Sequence, residues 1–195
     1  MNPNNNTPYI IKETSNGLFV CQIQDDMLQR REIECVGEIN ADSVNAIIRQ
    51  VRYLAAQDPE AEITIYINSP GGEVASGLAL YDVMKAVPCP IRTVCVGTAA
   101  SMGAVLFASG DRREMLPHAQ VMIHDPLIQS TGGSALTLKS TSDSLMEIRE
   151  STAKILAEQT GKTLEEIFEK TKQDTWFHAQ EAVDFGLADS IICKF

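Results

Sequence analysis

Ser101 is the first side chain of this sequence suited to chemistry, set in the small-residue run Gly97-Thr98-Ala99-Ala100-Ser101-Met102-Gly103-Ala104. It follows the apolar strand pattern Ile91–Val96 and opens a short helical stretch, Met102–Ala108. At such a junction the unpaired N–H groups and the helix dipole favour a developing negative charge. A hydroxyl placed there can attack a carbonyl while neighbouring amides receive the oxyanion. Serine is equally favoured as a plain helix N-cap, and the run by itself does not separate the two roles. A second small-residue turn, Asn68-Ser69-Pro70-Gly71-Gly72, ends the strand pattern Ile63–Ile67. Its glycines let backbone approach a ligand and aim N–H groups at it, although the same residues also serve an ordinary turn.

A serine hydroxyl needs a base, and the chain has 3 histidines. His118 follows Pro117 in a polar turn and reads as surface. His178, in Thr175-Trp176-Phe177-His178-Ala179, fits helix capping or surface duty. His124 ends the apolar run Val121-Met122-Ile123 and precedes Asp125-Pro126, a place where sheets display reactive groups; a structural histidine fits there too. The third partner of such a pair must be acidic, and with 26 Asp and Glu residues the sequence alone does not select it.

Positioning these groups calls for a sheet with crossover helices. Strand and helix patterns alternate from residue 17 onward, which points to an α/β layered domain. Leu18–Ile23, Ile33–Val36, Ile63–Ile67, Ile91–Val96, a stretch near Glu114 and Val121–Ile123 read as strands. Within Ala41–Gln57, Val44, Ile47, Ile48, Val51, Leu54 and Ala55 recur at helical spacing. Val74–Ala86 reads as a helix closed by Pro88 and Pro90. A long helix covers Leu136–Gln159 with Gly161 as its cap, and Thr163 with Glu166 forms a capping box that starts another. Strand, helix, strand repeats twice before Ser101, so right-handed crossovers and a mostly parallel sheet are expected.

At 195 residues, 44% hydrophobic and 22% charged, the chain suits one soluble domain, 1–195. Its net charge of −10 argues against nucleic acid as a partner. No apolar run approaches the roughly 20 residues that span a bilayer, and residues 1–16 read as a mobile N-terminal segment without the features of a secretory signal. Cys21, Cys35, Cys89, Cys95 and Cys193 are odd in number, form no CxxC pair and lie mostly among apolar neighbours, so no metal or disulfide is expected and the compartment is read as cytoplasmic.

Four segments, NSPGGEVASGLALYDVM, GTAASMGAVLFASG, LPHAQVMIHDPL and QDTWFHAQEAVDFGLADSI, resemble in order and spacing the signatures of the proteolytic subunit of the Clp protease, ClpP. The similarity runs from about Ile11 to Cys193. It implies an α/β, ClpP/crotonase-like fold, with stacked β–β–α turns as a head and a protruding handle over about 125–160. The handle would be the helix Leu136–Gln159 with the strand leading into it. The resemblance also implies Ser101 as nucleophile, His124 as base and Asp174 as acid, with the N–H groups of Gly72 and Met102 as the oxyanion hole. By the same likeness the chain would be a serine endopeptidase without cofactor or metal, degrading unfolded polypeptides to short peptides. It would work inside two stacked heptameric rings fed by an AAA+ unfoldase of the Clp type. Substrate would lie as an added strand between the segment after Gly72 and the strand after His124, with broad specificity.

Five positions depart from that pattern. Lys172-Gln173 stands where many members carry an acid and an arginine that pair across the ring interface. Tyr66 and Ile192 fit the apolar pocket for the unfoldase loop, but Thr64 and Ala86 are smaller than the aromatics common there. Asp125 replaces a glutamine and brings a carboxylate next to His124, where it would favour the charged imidazole. The alternative is a catalytically silent or regulatory subunit of a mixed Clp ring, which predicts loss of Ser101, His124 or Asp174; all are present. A crotonase-type hydratase gives no reason for this serine and histidine, and a Ser–Lys peptidase of the signal-peptide class calls for an anchor or export signal that the sequence does not display.

Overall fold

The alternating apolar and amphipathic stretches become crossovers in the structure, a computed structural model that describes residues 9–15, 17–128 and 132–195. Strand β1 (Tyr9–Thr14) and strand β2 (Gly17–Gln22) pair antiparallel as a ribbon of their own, followed by helix α1 (Ile23–Gln29). Of the segment read as mobile, residues 1–8 and Asn16 lie outside the described residues. Within it Tyr9–Thr14 forms a strand, since Tyr9, Ile10 and Ile11 favour a pleated backbone and find partners from Gln22 back to Val20.

Strand β3 (Glu32–Ile39), helix α2 (Ala41–Gln57), strand β4 (Ile63–Gly72), helix α3 (Val74–Ala86) and strand β5 (Ile91–Ala100) form two successive parallel crossover units. Asn40 starts α2: its Oδ1 accepts from the N–H groups of Asp42 and Ser43 at 3.0 Å each. Val44, Ile47, Val51 and Leu54 of α2 are buried, each contributing about 1.5–3 kcal/mol of apolar transfer. Arg31, at φ 62, closes the other end, donating to the carbonyls of Leu54, Asp58, Ala61 and Glu62.

Helix α4 (Met102–Ala108) follows β5 directly and is buried along its whole length. Strand β6 (Arg112–Met115) pairs with the first part of β5, from Arg92 to Cys95, and strand β7 (Gln120–Ile123) with its last part, Thr98–Ala100. That split delivers the end of β7 beside the end of β5. Helix α5 (Ala135–Thr160) and helix α6 (Leu164–Thr171) come next, then strand β8 (Thr175–His178), helix α7 (Ala179–Phe185) and strand β9 (Ser190–Ile191). The sheet orders β3-β4-β5-β6-β9, with β7 on β5 and β8 on β7; every pairing is parallel except β7–β8.

Helix α5 has 26 residues, roughly 39 Å of helix, yet its buried residues are Ala153 and Leu156 alone among the described ones. Its first half stands away from the core, with Leu136, Leu138 and Met146 exposed. Gly161 ends it at φ 70, and Thr163 and Glu166 form the anticipated capping box. The strand expected to lead into this helix is not formed over 124–128, and residues 129–131 lie outside the described ones. Pro126 supplies no N–H, and a strand needs a ladder partner that a single copy of the chain does not provide at this edge.

Candidate active site

Ser101 joins β5 to α4 with φ 55 and ψ −122, a conformation rare for a residue with a side chain and costing about 1–3 kcal/mol. Fixed bonds impose it: Ser101 N–H donates to the Met122 carbonyl at 2.8 Å, and its own carbonyl accepts from Ala104 at 2.9 Å. The side chain makes no capping bond to the helix. Its Oγ lies 2.7 Å from His124 Nε2 instead.

His124 follows the last residue of β7, and its side chain is 14% exposed. The antiparallel register Ile123↔Thr175 brings Asp174 alongside it, with Nδ1 and Oδ1 3.5 Å apart. A proton on Nδ1 facing this carboxylate leaves Nε2 free to accept from the serine. At 3.5 Å the acid is at ion-pair range and not in a short hydrogen bond, and its side chain is 64% exposed. Catalytic bonds are often long before substrate arrives. Thr175 Oγ1 donates to the Lys170 carbonyl at 2.6 Å and closes the turn that presents Asp174.

The glycine turn comes to the same place. A Cβ on Gly71, at φ 97, would lie 2.7 Å from both the Ala100 carbonyl oxygen and Ser101 Cβ and 3.2 Å from Met102 N, so the two small-residue junctions touch. Gly72, at φ 149, is packed against Ile39, where a Cβ would meet the carbonyl oxygen at 2.1 Å. Buried Ser69 holds this turn: its Oγ donates to the Gly37 carbonyl at 2.6 Å and accepts from Gly71 N–H at 3.1 Å. Met102 is the first residue of α4, where a helix leaves its N–H groups without intrahelical acceptors. Serine 69 was legible only as part of a turn; its buried hydroxyl has no signature in the sequence.

Beside Ser101 a cleft has one wall of Val74, Met102, Val105, Ile123, Pro126 and Leu156, and His124, Arg149 and Thr171 complete its rim. Its apolar lining suits an apolar side chain. Asp125, next to His124 in sequence, directs its carboxylate to other partners. Its carboxylate is occupied by Arg149 Nε at 2.6 Å and Thr171 Oγ1 at 2.6 Å, so its charge is already met by a guanidinium. Among the described residues no three His, Cys, Asp or Glu side chains are grouped to hold a metal ion. Burial pushes the thiols of Cys35 and Cys95 up to about 11, leaving them protonated and poor nucleophiles at neutral pH.

The family model of the Clp protease matches residues 15–194. The chain belongs to the Clp protease family. It is therefore a Clp-type peptidase, and its mostly parallel α/β sheet, with seven helices among the described residues, is the ClpP-type fold. Members of this family generally self-assemble and work with Clp ATPases. Among the described residues no helix is long and apolar enough to cross a membrane.

Proposed function

We propose that this chain is a serine endopeptidase in which Ser101 is the nucleophile, His124 the general base and Asp174 the acid that orients it. The observation that carries this reading is the line of contacts from Ser101 Oγ to His124 Nε2 at 2.7 Å and from His124 Nδ1 to Asp174 at 3.5 Å. Nε2 takes the hydroxyl proton as Oγ attacks the scissile carbonyl. The N–H groups of Gly72 and Met102 receive the oxyanion, which the contact of their two turns supports. The imidazolium, stabilised by Asp174, then protonates the leaving amine; water enters, gives its proton to Nε2 and releases the acyl group from Ser101.

The substrates in this reading are unfolded polypeptides cut to short peptides inside stacked heptameric rings, with an AAA+ unfoldase of the Clp type as feeder and the cytoplasm as compartment. Burial of the exposed Leu136, Leu138 and Met146 of α5 favours association of copies through the handle. Tyr66, with Val96 and the ring of Phe195 packed edge-on at 5.4 Å, gives a groove an apolar floor for a docking loop, beside the charged Arg30, Glu32 and Glu34. The test is covalent. A fluorophosphonate should label one serine, and Ser101→Ala should abolish labelling while peptide turnover falls about 10³-fold or more in an intact fold. Labelling at another serine, or turnover surviving in Ser101→Ala, refutes the assignment.

A further inference from the structure

We propose that Asp125 is a positioning residue which, held by Arg149 and Thr171, brackets the His124–Asp174 contact and ties it to helix α5. The proposal rests on the triad reading above. Two chain segments must stay in register for that contact to persist: the end of β7 and the turn before β8. On one side they are clamped by the ladder, Ile123↔Thr175. On the other side Asp125 supplies the clamp. Its N–H donates to the Thr171 carbonyl at 2.8 Å, and its Oδ1 accepts from Thr171 Oγ1 at 2.6 Å. His124 and Asp174 therefore lie between two fixed points, which matters because the acid itself is exposed and only at 3.5 Å.

The second carboxylate oxygen of Asp125 leads elsewhere. Oδ2 accepts from Arg149 Nε at 2.6 Å, and the Arg149 guanidinium lies 3.9 Å over the ring of Phe168 in α6. One carboxylate thus joins the residue after the base, the last residue of α6 and the middle of the long helix. Its partners cannot be exchanged freely: guanidinium and hydroxyl are both donors, and both acceptor oxygens are used. A small shift of α5 would pull on Asp125 and open the His124–Asp174 spacing, and misplacement by about 1 Å costs about 10²-fold in turnover.

The experiment uses the full chain in its native assembly. After fluorophosphonate labelling of the wild type establishes Ser101 as the reactive residue, turnover per labelled site is measured for Asp125→Ala, Arg149→Gln, Thr171→Val and the double variant Asp125→Asn with Arg149→Gln. Two substrates are used: a fluorogenic peptide, and p-nitrophenyl acetate, whose acetyl group does not fill the cleft. The single variants should lose about 10-fold in kcat on both substrates, with KM within about twofold. The double variant, which leaves no unpaired carboxylate and lets two amides bridge the gap, should recover to within about threefold of wild type. Thr171→Val keeps the buried volume, so it tests the clamp even if Asp125→Ala fails to fold. Wild-type turnover of the acetate ester by Arg149→Gln and Thr171→Val overturns the proposal, and so does a loss confined to the peptide. Failure of Ser101 to label would instead sink the triad reading itself.

Discussion

Replacing Gly72 by alanine tests the oxyanion assignment most directly. The added methyl would lie 2.1 Å from the Ile39 carbonyl oxygen and 2.9 Å from its carbon and nitrogen. Even a close C–H···O contact is about 3.3 Å, so the Gly72 peptide must retreat by at least about 1.2 Å or turn. The backbone offers little slack, since Glu73 N–H donates to the same Ile39 carbonyl at 2.7 Å and Ile39 is buried. Either response carries the Gly72 N–H about an ångström from where an oxyanion would form. Displacement of that size costs about 10²-fold, close to the effect of deleting an oxyanion donor, about 10²–10³-fold. The loss should fall on kcat more than on KM, because that charge exists only in the transition state. Peptidase kinetics with parallel thermal melting would read both effects. Gly161→Ala is the control: at φ 70 with open space around it, it should cost about 1–2 kcal/mol of local strain and leave kcat unchanged. A folded Gly72→Ala chain with kcat within about threefold of wild type would refute the reasoning.

Three further outcomes are expected. On dilution, sedimentation and peptidase activity should fall together at the double-ring to single-ring step, since Lys172-Gln173 cannot form bidentate bonds across the equator; full activity in isolated heptamers refutes this. The purified chain should cleave short fluorogenic peptides but leave folded proteins intact, and rapid digestion of casein by the chain alone would argue for an open site. Burial works to raise the Asp189 carboxyl, but bonds to the Arg113 side chain and backbone and the charge of Arg113 hold it below the ordinary carboxylate value. A depressed native value gives stability that is present above the unfolded value and lost as pH falls through the native one. Asp189→Asn should therefore melt below wild type at pH 7, with the gap closing below about pH 4.

Much of the frame was legible because its signals are local. Helices α2, α3 and α4 occupy the spans that spacing, prolines and small residues predict. Strand β4 runs on through Gly72, beyond the expected Ile67, because the glycine turn stays extended and pairs again with Glu38 and Ile39 after a bulge. Helix α1 was missed: at seven residues it is too short a window for the spacing of Ile23, Met27 and Leu28 to stand out. Strand β8 was read as part of a motif, since four residues give too short a window. Within the site, Ser101 and His124 stood out by their junctions. Asp174 could not be chosen from residues alone, because only the β7–β8 register brings it near His124. The bonding partners of Asp125 were hidden for the same reason: they lie 24 and 46 positions away.

The backbone angle at Ser101 has an evolutionary consequence. Glycine would adopt φ 55 and ψ −122 without the penalty a Cβ incurs, so the fold alone is best served by the substitution that removes the hydroxyl. Selection for thermal robustness acting without selection for turnover would drift this position toward glycine, and directed evolution scored only on melting temperature should find it early. A duplicated copy freed from proteolytic duty would be expected to lose its serine by this route, becoming sturdier as it falls silent.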